Sequence, residues 1–337
     1  MYENNTKALM DMDWNYPEGF FEQFGQLETE EERIRLLYGR YKENLSRFEG
    51  IPLWEEGVPN QLENPGYQEE PGLYFYPCKG EAKGVVLVVP GGSYSCIAAE
   101  VEGYPVIRRL LQEGYSAALL IYRIKPYTQY ESLQDIQRAI RILRYRQREL
   151  GIPGNRIFLV GSSAGGHLCT MASVHFDYGD REAADPVERE SSRPEGAVIS
   201  YGIFSMVSYP AADGLVKTSR EKEPVVTRLQ SSYQDRDRQA ALFFSPEKHV
   251  RPDMPPMFLW QTCDEDDPRK LFVFARELAD YGVRFEAHIF PYGGHGNGLW
   301  DGGSGTRQKD DHVARWFGLA VEWMEDVTER ADGLKAD

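Results

Sequence analysis

Cysteine is scarce in this chain. Its 337 residues contain four (Cys78, Cys96, Cys169 and Cys263), with no Cys-x-x-Cys pair and no metal-type spacing. A disulfide framework is therefore disfavoured, and free thiols in a reducing compartment are expected. Positive charge is also short: 38 Lys and Arg face 53 Asp and Glu, for a net charge of −15. An acidic surface repels phosphates, so nucleic acid and anionic membranes are poor partners. Long apolar runs are missing, and none approaches the ~20 residues that a membrane span requires. The opening "MYENNTKALMDMDWNYPEG" has neither a basic n-region nor an apolar h-region. No secretory signal is expected, and a cytoplasmic location is the default.

What is present is an ordinary apolar share, 41%, on a chain long enough for one large α/β domain. Residues 1–71 differ from the rest. In "LETEEERIRLLYGRYKENLSRFEG", Thr29 and Glu32 form a capping box, Ile34, Leu37, Tyr38 and Tyr41 recur at helical spacing, and Gly50 is a stop. The following "IPLWEEGVPNQLENPGYQEEPG" is rich in Pro, Gly and acid and predicts a loop or arm. Its own core would be too small for a separate domain, so it is read as an N-terminal helical and irregular extension to a main domain over 72–330.

From residue 73 the pattern alternates. Strands are predicted at 84–90 ("GVVLVVP"), 115–123, 156–161 ("RIFLVG"), 196–202, 256–262 ("PMFLWQT") and 284–290. Helices are predicted around 101–113, over 132–150 with Ser132 as cap and Gly151 as stop, from Ala164, over 269–282 and over 311–327. This alternation predicts an α/β class with a mostly parallel central sheet covered by helices on both faces. The polar stretch 203–255 breaks the rhythm and fits a cap over the strand ends or a plain surface excursion.

Gly-x-Ser-x-Gly occurs once, in Gly161, Ser162, Ser163, Ala164, Gly165, after a strand and before a helix. That context is what a nucleophile elbow needs: a sharp turn with the central serine at its apex and glycines where the chain packs closely. Ser163 is the candidate nucleophile, and Ser162 is read as a small core residue. A serine hydroxyl needs a base. Of six histidines, His167 lies one helical turn past Ser163 and is read as structural. His295, in the glycine-flanked "FPYGGHGNGLW" after the last strand, is the candidate base, because the acid and then the histidine follow the serine in this arrangement. The orienting acid is expected in "FLWQTCDEDDP", which supplies Asp264, Glu265, Asp266 and Asp267. "VVPGGSY", after the first core strand, is the candidate oxyanion turn. Gly92 and Ser93 amides there, with Ala164 N–H after the nucleophile, are the candidate donors. Tyr94, Tyr122 and Tyr201 fit pocket lining and core packing equally well, and Cys169 is read as a buried core residue.

With these pieces the chain resembles the α/β-hydrolases. Within them it is similar to the bacterial esterase/lipase group related to acetyl xylan and feruloyl esterases, with hormone-sensitive-lipase-like and kynurenine-formamidase-like relatives. The matching stretches are "VVPGGSYS", "YRIKPY", "LQDIQRAIRILR", "NRIFLVGSSAGGHL", "SPEKHV", "PPMFLWQT" and "EAHIFPYGGHGNGL", within about residues 72–325. Pro90 stands where many relatives carry His. Relatives place an Asp three residues after the position of Thr262; here that residue is Glu265, and a shift of one residue would select Asp264 or Asp266. Because Asp is the usual choice, the resemblance favours Asp266, with Glu265 and Asp264 as alternatives.

The resemblance implies a serine hydrolase for carboxylic esters, an acetyl or other short acyl group on a carbohydrate or small molecule. No metal or organic cofactor is called for. Two rivals remain: an amidase, peptidase or formamidase-like hydrolase, and a catalytically inactive hydrolase-fold binding protein. Self-association through the N-terminal helix is compatible with the sequence.

Overall fold

The computed structural model describes residues 2–12, 23, 25–65, 70–206, 238–265, 268–303 and 308–333. The strands are β1 Ile51–Pro52, β2 Gly72–Tyr76, β3 Val85–Val89, β4 Ser116–Ile121, β5 Ile157–Ser162, β6 Gly196–Ser200, β7 Met257–Thr262 and β8 Phe285–Phe290. The α-helices are α1 Glu3–Asp11, α2 Glu30–Leu45, α3 Tyr104–Gln112, α4 Gln129–Tyr145, α5 Ala164–Val174, α6 Arg238–Phe243, α7 Arg269–Asp280 and α8 Arg315–Gly333. One sheet runs in the order β1-β2-β4-β3-β5-β6-β7-β8. β2 pairs antiparallel with both β1 and β4, and every other pairing is parallel.

Every residue of β3 to β7 is buried, as continuous Val/Ile/Leu runs require when a parallel sheet is covered twice. β6 shows both covers. A Cβ on Gly196 would meet Trp323 of α8, whereas Ile199, three residues on and so on the opposite face, lies against Gly166 of α5. β8, at the sheet edge, is only partly buried. The fold is therefore the expected mostly parallel α/β sheet, with the ends of β3, β5, β7 and β8 leading into the turns that carry the candidate residues.

α2 begins with the expected capping box, Thr29 accepting from the Glu32 amide and Glu32 from the Thr29 amide. α4 differs from expectation. It starts one turn earlier, capped by a second box of Thr128 and Glu131, and ends at Tyr145 rather than near Gly151. Ser132 is not a cap: it is buried in the helix and its hydroxyl donates to the Arg123 carbonyl at 2.6 Å. The Thr-x-x-Glu spacing was the stronger signal, because it satisfies two orphan amides where a lone serine satisfies one.

The N-terminal segment adds β1 to the sheet, and Leu9 and Leu53 are fully buried. Asn5 donates to the carbonyls of Glu49 at 2.8 Å and Phe75 at 3.0 Å. Arg123 and Asp135, both fully buried, form an ion pair at 2.8 Å. Arg123 also donates to the Pro59 carbonyl at 2.5 Å, and Trp54 donates to Asp135 at 3.3 Å. A buried pair of this kind holds only when its remaining polar groups are satisfied; here the Pro59 and Glu131 carbonyls accept from Arg123, and Trp54 donates to Asp135. Most of the predicted cap, residues 207–237, lies outside the described residues. The four cysteines are free thiols. Among the described residues, no helix is long and apolar enough to cross a membrane.

Candidate active site

Ser163 sits between β5 and α5 with φ 53° and ψ −118°, a left-handed conformation that a serine holds only when its surroundings impose it. The flanking glycines are required by contact. A Cβ on Gly161 would lie 2.5 Å from Cys169 Sγ, and one on Gly165 would lie 2.0 Å from the Val89 carbonyl oxygen. The Ser163 amide donates to the Ser200 carbonyl at 3.0 Å, which ties the turn to β6. Ser162 is buried at 3% exposure, on the core side of the elbow.

The Ser163 hydroxyl lies 2.8 Å from His295 Nε2, and His295 Nδ1 lies 2.8 Å from Glu265 Oε2. A carboxylate only accepts, so Nδ1 carries the proton and the Nε2 lone pair faces the serine hydroxyl. The histidine side chain is 46% exposed while that of Glu265 is 2% exposed; the imidazole is open to solvent and the carboxylate beside it is dry. The described carboxylate on Nδ1 is thus that of Glu265; Asp266, the residue that the sequence favoured, lies outside the described residues. Asp264 has a different part. Its carboxylate accepts from the amides of Gly294 at 2.9 Å and Gly293 at 3.3 Å, and so holds the loop before His295. Partial desolvation pushes its pKa up, but the Gly294, Thr262 and Gly293 donors outweigh this and keep it below the ordinary carboxylate value. With Asp264 turned to those amides, the longer Glu265 side chain is the one that reaches the imidazole.

The turn after β3 has left-handed residues in succession: Gly92, Ser93 and Tyr94 at φ 127°, 55° and 54°. It packs on the elbow so closely that a Cβ on Gly91 would lie 2.8 Å from Ser163 Cβ. Gly91 N–H is occupied, donating to Glu102 Oε2 at 2.7 Å. The amides of Gly92, Ser93 and Ala164 have no acceptor among the described residues. Ala164 N–H also opens α5, where the helix dipole favours negative charge.

His167 is fully buried in α5. Its Nε2 lies 2.9 Å from the Phe244 carbonyl oxygen, which must accept; Nδ1 therefore accepts from the Tyr94 hydroxyl, 2.7 Å away. Burial pushes its pKa down to about 4, so it is a neutral structural residue that pins the Tyr94 turn. Tyr94, Tyr122 and Tyr201 are all buried at 3% exposure or less. Tyr122 donates to the Pro90 carbonyl at 2.8 Å and Tyr201 to Glu102 Oε1 at 2.9 Å. Glu102 was missed from the sequence: in "AAEVEGYPV" it has no periodicity and no glycine context to mark it.

Residues 73–268, more than half of the chain, match the BD-FAE family. The chain is 30% identical over 310 residues to endo-1,4-beta-xylanase B of Butyrivibrio fibrisolvens, covering 86% of this chain and 44% of that protein. It is 27% identical over 121 residues to the acetylxylan esterase of Xylanibacter ruminicola, covering 36% of this chain and 23% of that protein. The chain thus spans less than half the length of these curated relatives. Among solved structures, it is similar to the acetyl ester-xyloside bifunctional hydrolase of Caldicellulosiruptor lactoaceticus, with a TM-score of 0.72 and 34% identity over 83% of this chain and 96% of that one. Esterase 2 of Thermogutta terrifontis shares the fold at a TM-score of 0.64 and 20% identity, over 83% and 95% of the two chains. Sequence match and architecture agree, and the chain belongs to the BD-FAE family, with an α/β-hydrolase fold.

Proposed function

We propose that this chain hydrolyses carboxylic esters of short acyl groups, acetate foremost, carried on a carbohydrate or a small alcohol, through an acyl-enzyme. The observation that carries the reading is the continuous relay of Ser163 Oγ, His295 and Glu265 at 2.8 Å per step, beside the turn that holds Gly92 and Ser93. The Ser163 oxygen bonds to the acyl carbon while its proton passes to His295 Nε2. The carbonyl oxygen, now negative, takes hydrogen bonds from Gly92 or Ser93 and from Ala164. As the intermediate collapses, the alkoxide leaves with the proton from Nε2, and the acyl group stays on Ser163. Water then gives its proton to Nε2 and its oxygen to the acyl carbon, and the acid leaves as Ser163 recovers its proton. Glu265 keeps the tautomer throughout and balances the imidazolium. The names of the acetylxylan esterase and the acetyl ester-xyloside hydrolase support an acetylated sugar as the substrate class.

The test is labelling by a fluorophosphonate, beside hydrolysis of p-nitrophenyl acetate, p-nitrophenyl butyrate and p-nitroacetanilide. Wild type should label and turn over acetate fastest. Ser163→Ala should lose labelling and about 10⁴-fold or more of kcat while keeping its melting temperature. Anilide turnover exceeding ester turnover would move the chain to the amidases. A folded wild type with neither label nor turnover would make it a binding protein.

A further inference from the structure

Beneath the site lies a carboxylate that the relay does not use. Glu102 is 3% exposed and sits in a single π-helical turn, Ala99–Gly103, ahead of α3, a distortion frequent at functional sites. Its two oxygens have separate partners: Oε2 accepts the Gly91 amide at 2.7 Å and Oε1 the Tyr201 hydroxyl at 2.9 Å. The Tyr201 oxygen is in turn 3.3 Å from the Gly298 amide, which donates to it. The Tyr201 ring meets the His295 ring edge-on, with centroids 4.9 Å apart. A Cβ on Gly296, next to His295, would lie 4.0 Å from Glu102 Oε1, and one on Gly298 would lie 2.2 Å from the Val101 carbonyl oxygen. One side chain therefore touches the turn holding the candidate oxyanion donors and, through Tyr201, the loop holding the base.

Burying a carboxylate is costly unless its charge is answered. Among the described residues, no Lys or Arg pairs with Glu102; the positive charge acting on it is that of protonated His295. The other titratable groups around it are Tyr201, Tyr122 and Cys96, which it pushes toward their neutral forms. Burial raises its own pKa, opposed by His295, the Gly91 amide and the Tyr201 hydroxyl. The π-turn is braced from outside, where Asn44 of α2 donates to Glu100 at 3.0 Å.

We infer that Glu102 is a positioning residue: it locks the Gly91–Ser93 turn to the His295 loop and keeps a negative charge beneath the imidazole, favouring the imidazolium formed during acyl transfer. The inference rests on the Ser163–His295 reading above. The experiment compares Glu102→Gln with wild type on p-nitrophenyl acetate across pH, with melting temperature and fluorophosphonate labelling rate alongside. Gln keeps the shape and one acceptor but not the charge. The expected result is a fall in kcat of about 10- to 100-fold, a nearly unchanged KM, and an acid limb of kcat/KM displaced to lower pH. The sign follows from the charge: without the carboxylate the protonated imidazole is less favoured, so His295 stays neutral to lower pH. A kcat within about threefold of wild type, or a lower kcat with an unmoved acid limb, overturns the inference, since a purely structural role would not touch the limb. Should Glu102→Gln fail to fold, Tyr201→Phe decides. It keeps the carboxylate and the ring but cuts the bridge to Gly298, and an unchanged kcat overturns the inference. Ser163→Ala separates the two levels: turnover surviving in it sinks the Ser163 reading, whereas its loss beside an unaffected Glu102→Gln sinks only the role of Glu102.

Discussion

The two halves of the site are built by opposite means. The elbow that carries Ser163 is dry and jammed: its glycines are there because a Cβ would strike Val89, Cys169 or the elbow backbone at 2.0–2.8 Å. Around His295 the loop is wet and open, although at Gly298 it packs as closely as the elbow, with an added Cβ 2.2 Å from the Val101 carbonyl oxygen. Gly294 has φ +70° with nothing within 4 Å of an added Cβ, so its glycine is there for backbone freedom alone. The stretch before His295 takes its shape from directed hydrogen bonds: the Gly293 and Gly294 amides donate to Asp264 and Trp300 Nε1 to the Gly293 carbonyl at 3.0 Å; after it, Trp316 Nε1 donates to the Gly298 carbonyl at 3.2 Å. Close packing holds Ser163 on a stiff element, whereas polar contacts aim the solvent-exposed imidazole of His295.

Substitutions on each side should therefore fail differently. The largest effect is expected at Glu265, whose side chain is dry beside an exposed imidazole. Glu265→Gln removes the charge that fixes the His295 tautomer, and kcat should fall about 10³- to 10⁴-fold with the fold intact. Asp266→Asn should leave kcat within about threefold of wild type, and the reverse ranking in steady-state assays would return the acid to Asp266. Gly165→Ala comes next. A contact of 2.0 Å with a β3 carbonyl forces α5 off the sheet, costing about 3 kcal/mol or more in chemical denaturation, and Ser163 labelling should be lost with it.

The third expectation concerns pH. His167, in the dry half, has its pKa pushed down to about 4, against ~6.5 in the unfolded chain. Between those values the unfolded chain binds the extra proton. Stability is thus complete above pH ~6.5 and declines as pH falls toward ~4, by about 3 kcal/mol in all. His175, pushed down to about 4 by burial and then by His249, adds in the same direction. Urea midpoints at pH 7 and pH 5 should separate in wild type and draw together in His167→Gln; an unchanged separation would mean that His167 is not held neutral. The smallest effect is Gly294→Ala, about 1 kcal/mol from a left-handed residue with room for its methyl, with labelling retained. A collapse as deep as that of Gly165→Ala would erase the contrast between the halves.

The elbow was legible before any coordinates because its chemistry is local. Gly161, Ser163 and Gly165 must sit at fixed spacing between a strand and a helix, and the apolar run before them announces the strand. The parallel sheet was legible for the same reason, since strands buried on both faces leave uninterrupted Val/Ile/Leu runs. Ser132 was mistaken for a cap because the local rule was applied to a lone serine, when Thr128 and Glu131 together satisfied it better. The acid was open among neighbours because loop composition carries no direction; which carboxylate turns inward depends on Asp264 being held by two amides 30 residues away.

By itself, then, the sequence determined the α/β architecture, the serine at the elbow, the glycine turn after β3 and the histidine after the last strand, all consequences of steric and periodic rules that act over a few residues. Tertiary structure alone decided that Glu265 meets His295, that Asp264 shapes its loop, and that Glu102 joins the two halves through Gly91 and Tyr201. Those contacts link residues brought together only when the strand ends converge, and a buried carboxylate reveals its task only through the donors that the folded chain places around it.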